Sequence, residues 1–312
     1  MRVVEVSAYG GPEVLRMGRR PEPEAGDVPG RVRVRLKAAS VNQADLKIRS
    51  GRLADALGDL KPPFVLGYDF AGRLLDPAPG LPEGTRVAGF VPWREEGGTG
   101  TYAEVILAEP AWLAPIPDEV DFTSAAVVPL ASLTAAQALD ELNLPAGSVL
   151  LVTGGAGVIG RYAVQHAAAA GLRVIAVADP GDEAELKILG AETVVPRGAP
   201  TDVVAGVLRE APGGVDAVFD TALISDALLP AVRDGGAFLT LWEDSAPVAQ
   251  RDIRVSLARG RPDAARLKRM LEQVAAGELI TRVADVLPLE EAAEAHRRAE
   301  AGHRPGRMVL LI

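Results

Sequence analysis

The pattern of apolar and polar positions divides the chain into two parts. Up to about residue 120, apolar residues form short runs that Gly and Pro interrupt. Residues 31–36 alternate strictly between arginine and an apolar residue, which predicts a half-buried antiparallel strand, and 86–91 and 102–106 predict two more. We therefore expect a β-rich first domain.

Beyond residue 121, segments with the pattern of helices and strands alternate along the chain. In order, we predict helix 123–142, strand 149–153, helix 157–170, strand 173–178, helix 182–189, strand 193–195, helix 202–210, strand 215–219, helix 226–233 and strand 236–241. The C-terminal part adds helix 263–276, a strand near 282–286, helix 289–301 and strand 307–312. The alternation predicts an α/β fold with a doubly wound parallel sheet.

One glycine-rich turn carries most of the functional information. An apolar run at 149–152 leads into Gly155-x-Gly157-x-x-Gly160, and an amphipathic helix pattern follows. In a dinucleotide-binding turn, these glycines permit the tight turn, the approach of the phosphates and close helix–strand packing, while helix N–H groups bind the anion. The alternative is a glycine turn that binds no ligand. The predicted cofactor contacts here are Gly154, Gly155, Ala156, Gly157, Val158 and Ile159.

Charge and composition exclude several other classes of protein. The formal net charge of −9 argues against nucleic acid as a partner, because phosphate binding requires a basic surface. No apolar stretch reaches the roughly 18 residues that span a bilayer, and no basic face indicates membrane binding. The chain has no cysteine, which excludes disulfides and thiol catalysis and favours a reducing compartment. We expect a cytoplasmic protein.

The end of the second predicted Rossmann strand bears on the choice of cofactor. Asp179 follows strand 173–178, where a carboxylate binds the ribose hydroxyls of NADH and repels the 2′-phosphate of NADPH. Asp182 and Glu183 add negative charge. In the alternative interpretation, 179–182 is only a turn with an N-cap aspartate, and Arg197 reads the phosphate of NADPH.

Metal binding is not expected. The three histidines, His166, His296 and His303, are scattered along the chain, and no cysteine can join them as a ligand. We interpret each as a packing or surface residue.

Four segments carry a resemblance to a known family. Residues 40–51 (SVNQADLKIRSG) are similar to a VNxxDxxIRxG signature, 66–72 (LGYDFAG) to a GxDxAG block, 129–139 (PLASLTAAQAL) to a PLAGLTAxxAL helix, and 302–310 (GHRPGRMVL) to a GHxxGKxVL strand. On these segments the chain resembles the zinc-free quinone oxidoreductase branch of the medium-chain dehydrogenase/reductase superfamily. The Asp45-x-Lys47-Ile48 pattern is more similar to the alkenal/enone reductases of that branch. Asn42 and Tyr68 stand where zinc-dependent relatives have a cysteine and a histidine.

The resemblance implies a GroES-like β-rich domain over 1–120, completed by 278–312, and a Rossmann dinucleotide-binding domain over 121–277. It implies hydride transfer from NADPH or NADH to a quinone or an α,β-unsaturated carbonyl, independent of zinc. The residues it assigns to catalysis are Asn42, Lys47 and Tyr68, and those near the nicotinamide are Thr134, Ala222 and Leu241. It also implies a homodimer, for which strand 237–241 is the candidate edge.

Reduction of a conjugated carbonyl builds negative charge on oxygen, which Lys47 and an N–H of Asn42 could stabilise. Three structural interpretations stay open: Asn42 holds a turn, Lys47 is solvated or pairs with Asp45, and Tyr68 packs. Two other functions also stay open, an enoyl-thioester reductase and a non-catalytic NAD(P)H-binding redox sensor. The charged, glycine-rich segment 92–100 has the composition of a flap, and the sequence does not assign it a role.

Overall fold

The computed structural model describes residues 1–302 and 305–312, so the interpretation of His303 lies outside the described residues. The strands are β1 (Arg2–Val6), β2 (Leu15–Arg19), β3 (Val32–Ser40), β4 (Phe64–Val65), β5 (Asp69–Leu74), β6 (Arg86–Phe90), β7 (Val105–Ala108), β8 (Ala114–Pro115), β9 (Val149–Thr153), β10 (Arg173–Ala178), β11 (Thr193–Pro196), β12 (Val215–Asp220), β13 (Val232–Thr240), β14 (Arg254–Leu257), β15 (Val283–Pro288) and β16 (Arg307–Leu311). The α-helices are α1 (Gln43–Arg49), α2 (Ala54–Leu57), α3 (Phe122–Ala126), α4 (Pro129–Leu142), α5 (Val158–Ala169), α6 (Glu183–Ile188), α7 (Pro200–Glu210), α8 (Ala264–Ala275) and α9 (Ala292–Ala301).

The chain forms two compact units, of which the first comprises residues 1–130 and 261–312. Its larger sheet has the strand order β15-β16-β3-β5-β6-β8, with β7 also paired to β3, and its smaller sheet has the order β2-β1-β4. In β3 the alternate residues Val32, Val34 and Leu36 are buried, as the alternation predicts. The β-rich prediction is confirmed, and C-terminal strand β16 pairs with β3.

The second unit comprises residues 131–260 and contains one six-stranded sheet. All neighbouring strands in the order β11-β10-β9-β12-β13-β14 are parallel. The doubly wound α/β prediction is therefore confirmed. Strand β9 is apolar and almost wholly buried, as expected where helices cover both faces of a parallel sheet.

Three local predictions differ from the structure. The candidate edge 237–241 is wrong, because β13 is paired on both sides and β14 forms that edge. Strand β14 was missed because its residues, Arg254–Leu257, are exposed or only partly buried and include Arg254 and Ser256, so they give no apolar run. The predicted helix 123–142 is interrupted between α3 and α4, and in place of helix 226–233 a 3₁₀ segment containing Pro230 precedes β13.

The units divide at other positions than the sequence boundaries of 120/121 and 277/278. Helix α3 packs against β3 and β5, and α8 packs against β8, so both helices belong to the first unit. No helix among the described residues is long and apolar enough to cross a membrane.

Candidate functional site

The glycine turn of the second unit connects β9 to α5. Gly154 has a φ of +59°, a conformation that favours glycine. The Gly155 N–H donates to the Val177 carbonyl oxygen of β10 at 3.0 Å, and the Gly157 N–H donates to Gly154 at 2.8 Å. The left-handed residue of the turn is thus Gly154, while Gly155 lies against the neighbouring strand.

Two glycines allow the backbone segments to pack closely. A Cβ atom on Gly160 would lie 2.1 Å from the Gly154 carbonyl oxygen, and one on Gly155 would lie 2.9 Å from Cβ of Ala176. Real Cβ atoms do not approach backbone atoms at the first of these distances. Gly160 therefore has the close-packing role that the spacing predicts.

The turn fits the phosphates of a dinucleotide. Gly157 is the exposed N-cap residue of α5, and a Cβ there would meet the Gly154 oxygen at 3.0 Å. The first-turn amides of a helix have no intrahelical acceptor, and the helix dipole favours an anion beside them. Ala156, Val158 and Ile159 are only partly buried, so the predicted contact positions are accessible.

Asp179 and Arg197 follow the adjacent parallel strands β10 and β11. The Arg197 backbone N–H donates to the Ala178 carbonyl oxygen at 2.8 Å, and its Nε lies 2.5 Å from Oδ1 of Asp179. The two residues that the sequence offered as alternative cofactor determinants therefore form one ion pair. Asp182 precedes α6, but its side chain makes no capping hydrogen bond.

The loop after β12 lies beside the glycine turn. Ala222 donates its N–H to Oγ1 of Thr153 at 3.1 Å, and Thr221 donates its hydroxyl to the Thr153 carbonyl oxygen at 2.6 Å. Buried Asp220 accepts from Thr153 Oγ1 at 2.5 Å and from the Ser225 N–H at 2.8 Å. These bonds hold a loop in which Leu223 and Ser225 have positive φ. Sequence reasoning named Ala222 but missed Thr153 and Asp220, the polar residues that end two buried strands.

The remaining predicted cofactor contacts lie on other elements of this unit. Thr134 is buried on α4, and Leu241 is partly buried directly after β13. On the same helix as Thr134, Oγ of Ser132 lies 2.9 Å from Nε2 of His166. His166 also stacks on the ring of Tyr162, in agreement with its interpretation as a packing residue.

In the first unit, Asn42 has its amide directed into the protein. Its Nδ2 donates to Oδ2 of Asp69 at 3.0 Å, and its backbone N–H donates to Oδ2 of Asp45 at 2.7 Å. These hydrogen bonds agree with the interpretation that Asn42 holds a turn. Its role toward a substrate stays a prediction.

Lys47 and Tyr68 are both partly buried. Lys47 lies on α1, and the ring of Tyr68 lies 6.3 Å from that of Trp93. Burial raises the pKa of the Tyr68 phenol above its usual value, which keeps it protonated at neutral pH. Their catalytic assignments stay predictions.

Asp69 is the centre of a buried hydrogen-bond network that sequence reasoning missed. Besides Asn42, its carboxylate accepts from the Ser40 hydroxyl at 2.8 Å and from the Leu130 N–H at 2.6 Å. Burial raises the pKa of Asp69, while the charge of Arg307 and these donors lower it. Asp69 belongs to the GxDxAG-like segment, but its partners come from distant parts of the chain.

Asp45 and His296 extend this buried network through Tyr102. Asp45 accepts from the Gly67 N–H at 3.0 Å, and the Tyr102 hydroxyl lies 3.5 Å from Asp45 and 3.0 Å from Nε2 of His296. Burial raises the pKa of Asp45 to about 7 and lowers that of His296 to about 3. His296 is therefore a neutral packing residue, as interpreted from its isolated position.

Segment 92–100 is anchored to the first unit. Trp93 is fully buried and donates its Nε1–H to the Val65 carbonyl oxygen at 2.6 Å. Glu96 forms a bidentate ion pair with Arg31. Among residues 1–302 and 305–312, no group of three or more His, Cys, Asp and Glu side chains could hold a metal ion.

Comparison with known proteins identifies the family. Residues 28–118 match the alcohol dehydrogenase GroES-like domain, and residues 189–310 match the zinc-binding dehydrogenase family. The crystal structure of an NAD-dependent alcohol dehydrogenase is 32% identical, with a TM-score of 0.85 and coverage of 100% of both chains. The chain belongs to the medium-chain dehydrogenase/reductase superfamily. Members of this superfamily use NAD(P)H, so the cofactor class agrees with the glycine turn.

Two other relatives indicate the branch of the superfamily. The quinone oxidoreductase from Coxiella burnetii is 27% identical, with a TM-score of 0.87, and the alignment covers 100% of this chain and 99% of that one. The NADPH-dependent alkenal/one oxidoreductase of Arabidopsis thaliana is 27% identical over 99% of this chain and 79% of its own. The chain spans 11%, 79% and 58% of the lengths of the first three curated relatives. These relatives confirm the quinone oxidoreductase and alkenal/enone reductase branch.

Proposed function

We propose that this medium-chain oxidoreductase reduces quinones or α,β-unsaturated carbonyls with NAD(P)H and without zinc. The observation that carries the proposal is the glycine turn, where exposed Gly157 leaves the N-terminus of α5 accessible to an anion. The names of the quinone and alkenal/one oxidoreductases support this substrate class.

In this proposal the second unit binds and orients the nucleotide. Val158 and Ile159 hold the pyrophosphate through their backbone N–H groups, Gly157 lets the phosphates approach the turn, and the fixed loop around Ala222 packs near the nicotinamide end. Thr134 and Leu241 line the same end. When bound, the nucleotide supplies the hydride.

On the substrate, the hydride bonds to the β-carbon, the C=C π electrons shift toward the carbonyl oxygen, and a solvent proton completes the saturated carbonyl. The developing negative charge needs a donor or a cation. We propose that the Lys47 ammonium group is the cation that stabilises this charge. The Asn42 amide donates to Asp69. We propose that Asn42 both positions helix α1, which begins at the next residue, and donates a hydrogen bond to the developing negative charge. Tyr68 completes the proposed set.

The proposal has two variants, one with a different substrate and one without turnover. An enoyl-thioester reductase would perform the same hydride addition on an unsaturated acyl thioester, and a redox sensor would bind NAD(P)H without turnover.

We also propose a cytoplasmic homodimer that pairs through the edge strand β14 rather than through residues 237–241. A monomeric mass in light scattering would contradict the dimer.

The test begins with nucleotide titration of the pure protein, followed by quinones, enones and an enoyl thioester, with absorbance of the reduced nicotinamide as the signal. We expect turnover that is fastest with a quinone or an enone. Lys47→Met should lower kcat/KM at least about tenfold with unchanged nucleotide affinity, because it removes the cation near the developing charge. Lys61→Met, at an exposed lysine of the same unit, is the matched control. Binding without turnover on every acceptor supports the sensor, and preference for the thioester supports the other variant.

A further inference from the structure

We infer that Asp179 and Arg197 form one nucleotide-selecting pair, in which Asp179 selects NADH and restrains Arg197, a latent binding group for the 2′-phosphate of NADPH. The inference rests on the proposed function, because it concerns the nucleotide of the same site. It assigns a joint role to two residues that the sequence presented as alternatives.

The backbone places both residues independently of their ion pair. Strands β10 and β11 are parallel neighbours, with Ala178 opposite Pro196, so the residues that follow them lie at the same edge of the sheet. The Arg197 N–H bond to the Ala178 carbonyl oxygen, at 2.8 Å, fixes this arrangement. Asp179 directly follows β10, the first strand after the glycine turn, where dinucleotide folds bind the adenosine ribose. A guanidinium group therefore stands beside the expected position of the ribose 2′-oxygen.

The ion pair is accessible and can change partners at low cost. The side chains of Arg197 and Asp179 are 72% and 48% exposed, and such pairs are weak and screened by salt. A carboxylate has about four lone-pair sites, so Asp179 can accept ribose hydroxyls while it holds Arg197. A 2′-phosphate, by contrast, would meet the Asp179 charge at this position. We therefore expect the unmodified protein to bind NADH more tightly than NADPH.

Removal of the Asp179 charge should reverse this preference. Asn at position 179 can still accept a ribose hydrogen bond, but it no longer repels phosphate or retains Arg197. Arginine binds phosphate through bidentate, charge-assisted hydrogen bonds, which explains why the released side chain should favour NADPH. Glu183 is a suitable control position, because it carries the same charge nearby but pairs with Lys187 at 3.3 Å.

Calorimetry of nucleotide binding tests the pair without catalysis. The ligands are 5′-AMP, adenosine 2′,5′-bisphosphate, NADH and NADPH, and the proteins are unmodified, Asp179→Asn, Arg197→Gln, the double variant and Glu183→Gln. We expect the unmodified protein to favour the ligands without a 2′-phosphate about tenfold, and Asp179→Asn to favour the 2′-phosphorylated ligands by a similar factor. The double variant should keep only the smaller part of that gain that comes from the lost repulsion, while Glu183→Gln should change the ratio by less than about twofold.

Three results would overturn the inference: a preference of the unmodified protein for NADPH, an equal effect of Asp179→Asn and Glu183→Gln, or an undiminished NADPH gain in the double variant. The proposed function fails on a different result, nucleotide binding without turnover of any acceptor. Because the adenosine ligands carry no nicotinamide, the selectivity measurement does not depend on hydride transfer.

Discussion

The two units differ in where polar groups are accessible to a ligand. The first unit buries carboxylates, and Asp45 and Asp69 are surrounded there by N–H and O–H donors from several strands and loops. The second unit also buries a carboxylate, Asp220, but it presents accessible backbone at its glycine turn, where Gly157 is exposed at the N-terminus of α5. Polar groups bonded to one another in an interior stabilise one arrangement of the chain, whereas accessible amides at a helix N-terminus can bind an anion.

This difference separates residues that hold the fold from residues that can hold a ligand. Both kinds occur within family-like segments, so a motif match does not distinguish them. Asn42 is the intermediate case, because it lies in such a segment and yet donates to the buried Asp69. Substitutions of buried, closely packed or hydrogen-bonded residues should therefore lower stability, whereas substitutions of exposed residues at the glycine turn should lower nucleotide affinity.

The largest effect is expected for Gly160→Ala, which should lower stability and abolish nucleotide binding. Its Cβ would lie 2.1 Å from a backbone oxygen of the turn, which cannot yield as a flexible side chain would. We expect a loss of about 3 kcal/mol, at the upper end of the usual cost of overpacking. Gly157→Ala is the matched control, since its contact is at 3.0 Å on an exposed residue. It should fold normally and lose nucleotide affinity only; equal stability of the two variants in urea would contradict the packing argument.

Asp69→Ala should produce the reverse of the Gly157→Ala result, a stability loss with unchanged nucleotide affinity. The hydroxyl of Ser40, the amide of Asn42 and the Leu130 N–H would lose their acceptor. We expect a net loss of about 2 kcal/mol, because removal of a buried carboxylate offsets part of the cost of the unpaired donors. Urea unfolding and nucleotide titration measure the two quantities. A variant that is as stable as the unmodified protein would show that the network does not support the fold.

Much of the second unit was predictable because its signals are local. The β9 bounds of 149–153 and those of β10 match the prediction, and Gly160 has its expected packing role. Strand β14 was not predictable in this way, because its position depends on pairing with β13 rather than on its own residues. The contact between Asp179 and Arg197 likewise depends on which strands are neighbours.

The buried network of the first unit was not predictable for a related reason. Asp45 and Asp69 were visible in their segments, but their burial depends on how residues far apart in the chain pack together. Tyr102 and His296 are separated by 194 positions, and no period or spacing joins them. Sequence alone thus identified a scattered histidine but not the carboxylate network that it contacts.

This network gives the smallest and most specific prediction, a pH dependence of stability with two opposing components. Burial raises the pKa of Asp45 from 3.8 to about 7, so between these values the folded protein retains a proton that the unfolded chain releases. Stability from this group therefore falls as pH rises. Burial also lowers the pKa of His296 from 6.5 to about 3, so there the unfolded chain binds the extra proton and stability rises with pH.

Single substitutions should separate the two components between about pH 4 and 6.5. Asp45→Asn removes the falling component, so its stability should rise with pH more steeply than that of the unmodified protein, by about 1 kcal/mol per pH unit. His296→Gln should shift the slope by a similar amount in the opposite direction. Urea unfolding at several pH values measures both slopes, and the comparison depends on slope rather than on absolute stability, which each substitution also changes. If both variants keep the slope of the unmodified protein, Asp45 and His296 titrate alike in the folded and unfolded states, and the network is not the desolvated interior that its contacts indicate.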